Sequence, residues 1–289
     1  MKSTGKGVAD IDAKIQAKKR RNRLLFNSAA ITYGSLIYLF LYLPILIVIL
    51  FSFNTSRMNL TFQGFTFDWW GSMFSNRTLL ESFYNSIIVA GASTILSVII
   101  GTLGAVGMYK FEFKLKSVLS NSLYIPIAIP EIVFGISLLM FFSSLHVQTG
   151  MVTMIIAHVT FSMPFVLITV RARIAGHDRA LEEAAKDLGA GESHTFFRVT
   201  LPCIMPGIIS GGMLALTLSL DDVIISAFTN GPDAKTLPIK ILELSRRGVP
   251  PDAYALSTLM IIGTVVIMLS SQLVQNRMLK KRGEETVSP

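Results

Sequence analysis

Residues 183–189 read Glu-Ala-Ala-Lys-Asp-Leu-Gly, and they lie in a polar stretch between two long apolar runs, residues 151–170 and 203–229. The dipeptide Leu201-Pro202 follows after a spacer, directly before the second run. Adjacent alanines favour a helix that another surface can approach closely, and glycine suits the residue of positive φ that ends a helix. The stretch therefore predicts a short helix that projects from a membrane domain and contacts another protein.

The composition is that of a membrane protein. Hydrophobic residues make up 51% of the 289 positions and charged residues only 15%, and the mean hydropathy is +0.57. A helix needs about 20 residues to cross a hydrocarbon core of about 30 Å. Six runs reach that length: residues 28–53, 83–109, 117–147, 151–170, 203–229 and 254–274. They are continuous rather than alternating, so the predicted fold class is an all-α polytopic membrane protein with six transmembrane helices.

The basic residues predict how the chain is oriented in the membrane. If the amino terminus is cytoplasmic, 20 of the 26 Lys and Arg residues fall on the cytoplasmic side and six on the other. Both termini are therefore expected inside. The predicted domains are a basic cytoplasmic arm (1–27), a membrane domain (28–276) with a cytoplasmic segment (177–202), and a cytoplasmic tail (277–289). These flanks account for the net charge of +8, so no nucleic-acid partner is expected.

Acidic residues inside the apolar runs are the candidate solute-path residues. The third run holds Glu131 and the fifth holds Asp221 and Asp222, whereas none of the six runs contains Lys or Arg. A charge at mid-membrane costs about 2.5–3.5 kcal/mol even on insertion scales, so these side chains should face protein or a water-filled cavity. A partner subunit, a bound cation or protonation would neutralise them; hydrogen-bonded helix packing is the alternative. Such a path favours a cationic solute over phosphate or sulfate.

Other polar and helix-breaking residues lie within the apolar runs. Pro126 and Pro130 predict a kinked or unwound third run, because each proline removes a backbone N–H. His158 has no charged neighbour in sequence and is interpreted as a helix-packing residue. The single cysteine, Cys203, excludes an internal disulfide and a multi-cysteine metal site. We expect no catalytic residue, no metal and no cofactor.

The polar stretch itself predicts two helices. Asp178 is a suitable N-cap for the first, whose acidic first turn favours the positive end of the helix dipole. A second helix should run from Ser193 toward Thr200, with Leu201-Pro202 stopping it before the fifth run. No G-x-x-x-x-G-K-[ST] phosphate loop occurs in the sequence, so we expect any ATP-derived energy to enter through a separate subunit.

This pattern resembles the EAA signature, EAA-x3-G-x9-I-x-L-P, of the permease subunits of binding-protein-dependent ABC importers, the MetI-like family. The match holds at Glu183, Ala184, Ala185, Gly189, Leu201 and Pro202. Val199 stands where the family usually has Ile. The resemblance implies a type I importer permease fold in which Glu183, Ala184, Ala185 and Gly189 belong to a cytoplasmic helix that couples to an ATPase.

A second resemblance narrows the solute class. Residues 218–232 (LSLDDVIISAFTNGP) and 236–241 (TLPIKI) look like segments of polyamine permeases, and the similarity runs from about residue 38 to 272. It implies a multi-pass protein of the bacterial inner membrane that takes up spermidine or putrescine. The implied partners are a second permease, two ATPase subunits and an extracytoplasmic polyamine-binding protein. The choice between the two polyamines, and between a heterodimer and a homodimer of permeases, stays open.

Two alternatives to a polyamine importer follow from the same sequence. One is a permease of this class for another solute, such as an amino acid or an iron complex. The other is a proton-coupled secondary transporter that uses Glu131 and Asp221, which would leave the EAA segment unexplained.

Overall fold

The computed structural model describes residues 4–56, 61–176, 180–232, 234–246 and 248–285. Apart from an isolated bridge between Asn54 and Phe65, the regular structure in these ranges is helical, which confirms the predicted all-α class. The helices are α1 (Thr4–Phe51), α2 (Asp68–Met73), α3 (Arg77–Lys110), α4 (Lys116–Ser122), α5 (Ile125–Ala128), α6 (Glu131–Ser144), α7 (Met151–Ala175), α8 (Ala180–Asp187), α9 (Glu192–Thr195), a π-helical turn (Phe196–Thr200), α10 (Leu201–Asp221), α11 (Ile224–Thr229), α12 (Leu237–Ser245) and α13 (Pro251–Glu285).

Five helical stretches in the described ranges are long and apolar enough to span a membrane, and a bent pair raises the number to six if it counts as one span. The bent pair joins Lys116–Ala128 to Glu131–Ser144 at an angle of 108°. The break lies at Pro130, which has no N–H to continue the helix. The predicted interruption of the third run is therefore confirmed.

The core of the bundle contains α3 and α7, which run parallel. Their contacts keep a constant separation of 65 residues, as expected for parallel helices. Ser97 contacts Ser162 and Gly101 lies against Val166, and Val89 belongs to the same buried cluster as Met154. Because α3 ends at the opposite end of the core from the start of α7, the chain between them has to return across it. The broken α4–α5–α6 segment makes this return.

The third core helix, α10, runs antiparallel to α7. Arg173 near the end of α7 donates from Nε to the carbonyl of Cys203 at 3.2 Å, whereas His158 in the first half of α7 contacts Ser219 near the end of α10. The fully buried side chains of Val166 and Ile204 lie between these helices. The core therefore places α3, α7 and α10 in fixed register.

The bundle has two distinct ends, which we call the coupling face and the opposite face. The coupling face contains α8, α9 and the last turns of α3 and α7. The opposite face contains α2, α12 and the start of α13, where Asn76 Nδ2 donates to Asp252 Oδ2 at 2.7 Å. The ring of Phe51, at the end of α1, lies 6.5 Å from that of Tyr254. The end of α1 and the start of α13 therefore both lie at the opposite face.

Two boundary predictions are wrong. Leu201-Pro202 begins α10 instead of stopping the preceding helix, since proline is tolerated where no N–H partner is required. The π-helical turn makes this continuity possible: the Leu201 N–H donates to the carbonyl of Phe196, five residues back. The fifth run, predicted as one helix over residues 203–229, is divided into α10 and α11 at Asp222 and Val223.

The predicted domain limits are not marked by helix ends. The helix α1 already begins at Thr4, and α13 continues to Glu285, so both cross the limits at residues 27 and 276. The cytoplasmic arm and tail remain predictions that rest on charge.

Candidate functional sites

The helix α8 carries the EAA residues and ends in a Schellman motif. Gly189 has φ +84°, and its N–H donates to the Lys186 carbonyl at 2.8 Å. The Ala190 N–H donates to the Ala185 carbonyl at 3.0 Å. An added Cβ at Gly189 would meet nothing within 4 Å, so backbone conformation rather than space selects glycine. The predicted positive φ at Gly189 is confirmed.

The outer surface of α8 is apolar and exposed. Leu181 is 52% exposed and Leu188, just after the helix, is 90% exposed. Together with the exposed Ala184 they lie three and four residues apart, on one face of the helix. We call Leu181, Ala184 and Leu188 the docking stripe. Of the other EAA residues, Glu183 is also exposed; the predicted N-cap, Asp178, lies outside the described residues.

Ionic contacts tie α8 to the membrane helices. Glu192, at the start of α9, accepts from Lys186 Nζ at 2.6 Å and from Lys110 Nζ at 3.0 Å. These two hydrogen bonds, that of Lys186 first, lower the pKa of Glu192 to about 2. Thr200 Oγ1 also donates to Glu182 Oε1 at 2.8 Å. A cavity of about 650 Å³ opens beside this bridge. Sequence reasoning missed Lys110 because it is 82 residues from Glu192.

The three predicted path acids are brought together by two helix breaks. Glu131 is the first residue of α6, and Asp221 and Asp222 lie where α10 ends, just before the short helix α11. The helices α6 and α11 pack closely at Gly135: a Cβ added there would lie only 2.8 Å from the Phe228 ring of α11. The carboxylate of Glu131 is close enough to Asp221 and Asp222 for their like charges to act on it. One local cluster therefore contains all three acids.

The adjacent acids have different surroundings. The side chain of Asp222 is 7% exposed and caps α11, since it accepts from the N–H groups of Ile225 at 3.2 Å and Ser226 at 2.7 Å. Asp221 and Glu131 are exposed. Asp221 lines a largely apolar cavity of about 600 Å³ between α10, α12 and α13.

His158 contacts Asp222, which sequence reasoning did not foresee. Its Nε2 lies 3.4 Å from Asp222 Oδ2 and 2.9 Å from Ser226 Oγ, and its Nδ1 lies 2.6 Å from Ser219 Oγ. A polar residue in an apolar run was the only available signal. Its partner is 64 positions away, so only helix packing brings the two together.

Residues 93–282 match the sequence profile of a family described as the inner membrane component of binding-protein-dependent transport systems. The chain belongs to this family. It is accordingly an inner-membrane permease of the ABC importer class and, like the other permeases of that class, is not itself an enzyme.

Two curated permeases are similar to it over most of their length. One is the spermidine/putrescine transport system permease protein PotC of Shigella flexneri, 39% identical over 247 residues, or 86% of this chain and 94% of PotC. The other is the putrescine transport system permease protein PotI of Escherichia coli K12, 37% identical over 238 residues, or 80% of this chain and 84% of PotI.

A solved structure agrees in fold. A chain of a bacterial ABC transporter that imports the acidic polysaccharide alginate superposes with a TM-score of 0.69 at 19% identity, over 91% of this permease and 99% of that chain. The likeness confirms the type I importer permease fold. The coupling roles of Glu183, Ala184, Ala185 and Gly189, and the path roles of the three acids, remain predictions.

Proposed function

We propose that this permease forms half of the path of an ATP-driven polyamine importer, with a second permease subunit as the other half. The observation that carries the proposal is the exposed pair Asp221 and Glu131 where two helix breaks meet. The six apolar runs offer no Lys or Arg that would compete for these carboxylates. Putrescine and spermidine carry ammonium groups on methylene chains, which suit charge-assisted hydrogen bonds within apolar walls. The names of PotC and PotI support the same solute class.

The energy source in this proposal is a pair of ATPase subunits that dock on the coupling face. The exposed docking stripe fits a groove on such a partner, since an apolar helical face of this kind is a common recognition element. Glu183, Ala184, Ala185 and Gly189 would transmit the motion of the ATPase. The Glu192 bridge supports transmission, because it ties α8 to Lys110 at the end of α3.

Reconstitution tests the solute and the energy source together. The permease would be assembled in proteoliposomes with a second permease, the ATPase and an extracytoplasmic binding protein. Labelled putrescine should accumulate with ATP but not with ADP, and unlabelled spermidine should compete. Accumulation of an amino acid or an iron complex in place of putrescine would support the other solute classes and contradict the proposal.

A proton-coupled mechanism would give a different result. Family membership argues against it. In the same vesicles, ATP-dependent putrescine uptake should persist when a protonophore collapses the pH gradient while ATP is held constant. Loss of uptake under those conditions would contradict direct ATP coupling.

A further inference from the structure

We propose that His158 is a positioning residue of the translocation path, which holds the break between α10 and α11 and thereby the placement of the Asp221 carboxylate. The inference deepens the proposed function, because it rests on Asp221 as a group that meets the solute. It assigns a role to a buried residue that contacts neither the cavity nor the coupling face.

The imidazole ring of His158 bridges the two sides of the break. Its side chain is 2% exposed, and its ring belongs to α7, a different helix from the two that it joins. Nδ1 contacts Ser219 in α10 at 2.6 Å, and Nε2 contacts Ser226 in α11 at 2.9 Å. The two nitrogens are on a rigid ring, so the ring sets how far apart α10 and α11 stand. Ser219 also accepts from Ser93 Oγ of α3 at 3.1 Å, which fixes this side to the core.

The break requires such support because helix ends leave backbone groups without partners. Asp222 satisfies two N–H groups of α11 from a nearly buried position. A buried carboxylate is costly unless it is paired and hydrogen-bonded, and His158 supplies the neighbouring ring nitrogen at 3.4 Å. The inward position of Asp222 therefore depends on His158.

The inward position of Asp222 decides where Asp221 points. Asp222 has extended backbone angles, φ −65° and ψ 128°, so the chain changes direction between the two acids. With Asp222 directed toward His158, Asp221 faces the cavity of about 600 Å³. If the ring contacts were lost, α11 could shift relative to α10 and the group at position 221 would move with it.

A cysteine at position 221 reports this placement directly. In a Cys203→Ser background, Asp221→Cys would be labelled with a small cationic methanethiosulfonate in membranes that contain the assembled transporter. We expect His158→Leu to change the labelling rate about tenfold, since displacements near 1 Å have effects of this order or larger on a positioned group. His158→Gln should change the rate less than His158→Leu does, because its amide reaches the Nε2 position and keeps the contact on the α11 side, although it loses the Nδ1 contact to Ser219. His158→Asn, which reaches only the Nδ1 position, should behave like His158→Leu.

The matched control is Ser97→Ala. It removes a buried hydrogen bond of 2.8 Å, to Ser162 one turn along α7 from His158, without touching the break. Its labelling rate should equal the parental rate. Equal rates in all the His158 variants, or an equal change in Ser97→Ala, would overturn the inference. If His158→Leu does not reach the membrane, the comparison of the Gln and Asn variants decides the question.

Uptake in transporters that retain Asp221 separates this inference from the proposed function. The maximal polyamine uptake rate should fall more in His158→Asn than in His158→Gln. The labelling experiment needs no transported solute. A transporter that carries another solute would therefore refute the proposed function but leave the labelling result valid. Polyamine uptake with unchanged labelling would refute only the role of His158.

Discussion

Two adjacent acids in one sequence have separate structural roles here. Asp222 caps α11 and contacts His158, whereas Asp221 is exposed to a cavity. By sequence alone, both are candidate solute-path residues. The structure favours Asp221, with Glu131, as the group that meets a cation. A transport defect in Asp222→Asn would arise through the helix break between α10 and α11. The side-chain oxygen of asparagine can still cap α11.

Asp221→Asn is expected to lower the maximal uptake rate with little change in apparent affinity, because a separate binding protein selects the solute. Loss of a charge-assisted hydrogen bond worth roughly 1.5–3 kcal/mol slows passage about tenfold or more. Asn is isosteric, so packing is preserved. Initial uptake rates across a concentration series measure both parameters. Asp68→Asn, at an exposed acid of α2, is the control. Parental transport in Asp221→Asn would contradict the cation-path proposal.

Gly189→Val is expected to leave membrane insertion intact but to uncouple ATP hydrolysis from uptake. A residue with a Cβ loses roughly 1–2 kcal/mol in the left-handed conformation, and β-branching increases the strain. Gly191→Val is a matched control, because Gly191 has φ −68° and also lies in open space. ATPase activity and uptake would be compared in both variants. Similar behaviour of the two would show that the positive φ of Gly189 has no part in coupling.

At the scale of elements, interruptions of the helices organise both candidate sites. The break at Pro130 has a clear sequence cause, whereas the break at Asp222 has neither a proline nor a glycine. A side-chain cap and a histidine from another helix stabilise the second break. The short helices of the coupling face also depend on contacts with distant elements, because helices of this length are marginally stable on their own.

Glu192→Gln should loosen α8, because it removes the ionic bridge to Lys186 and Lys110. Hydrogen exchange at residues 180–187 should become faster at neutral pH. Glu112→Gln, which breaks the separate pair with Lys116, is the control. The pKa of Glu192 falls from 4.5 to about 2 in the folded protein, so the bridge stabilises above pH 4.5 and its contribution is lost as the pH falls toward 2. Unchanged exchange in Glu192→Gln would show that the bridge does not hold α8.

At the scale of the whole molecule, the parallel pair α3 and α7 determines how the chain is threaded. The chain has to cross between them, and the broken third segment provides that crossing. Residues that lie far apart in sequence therefore meet at each end of the bundle. The assignment of each face to one side of the membrane rests on the distribution of Lys and Arg.

Thiol labelling in a Cys203→Ser background checks this orientation. A cysteine at Asp68, on the opposite face, should react with an impermeant reagent in intact cells. Cysteines at Asp187 and Ser288 should react only after the membrane is permeabilised, because the coupling face and the carboxyl terminus are predicted to be cytoplasmic. The reverse pattern would contradict the predicted orientation.

The sequence by itself determined the all-α membrane class, the apolar spans, the interruption at Pro130 and the positive φ at Gly189. Each depends on short-range properties, namely hydropathy, the missing N–H of proline and the freedom of glycine. Only the tertiary structure decided which distant groups meet. His158 contacts Asp222 across 64 residues of sequence, and Lys110 contacts Glu192 across 82. Their contacts follow from the register of packed helices, which no local pattern in the chain encodes.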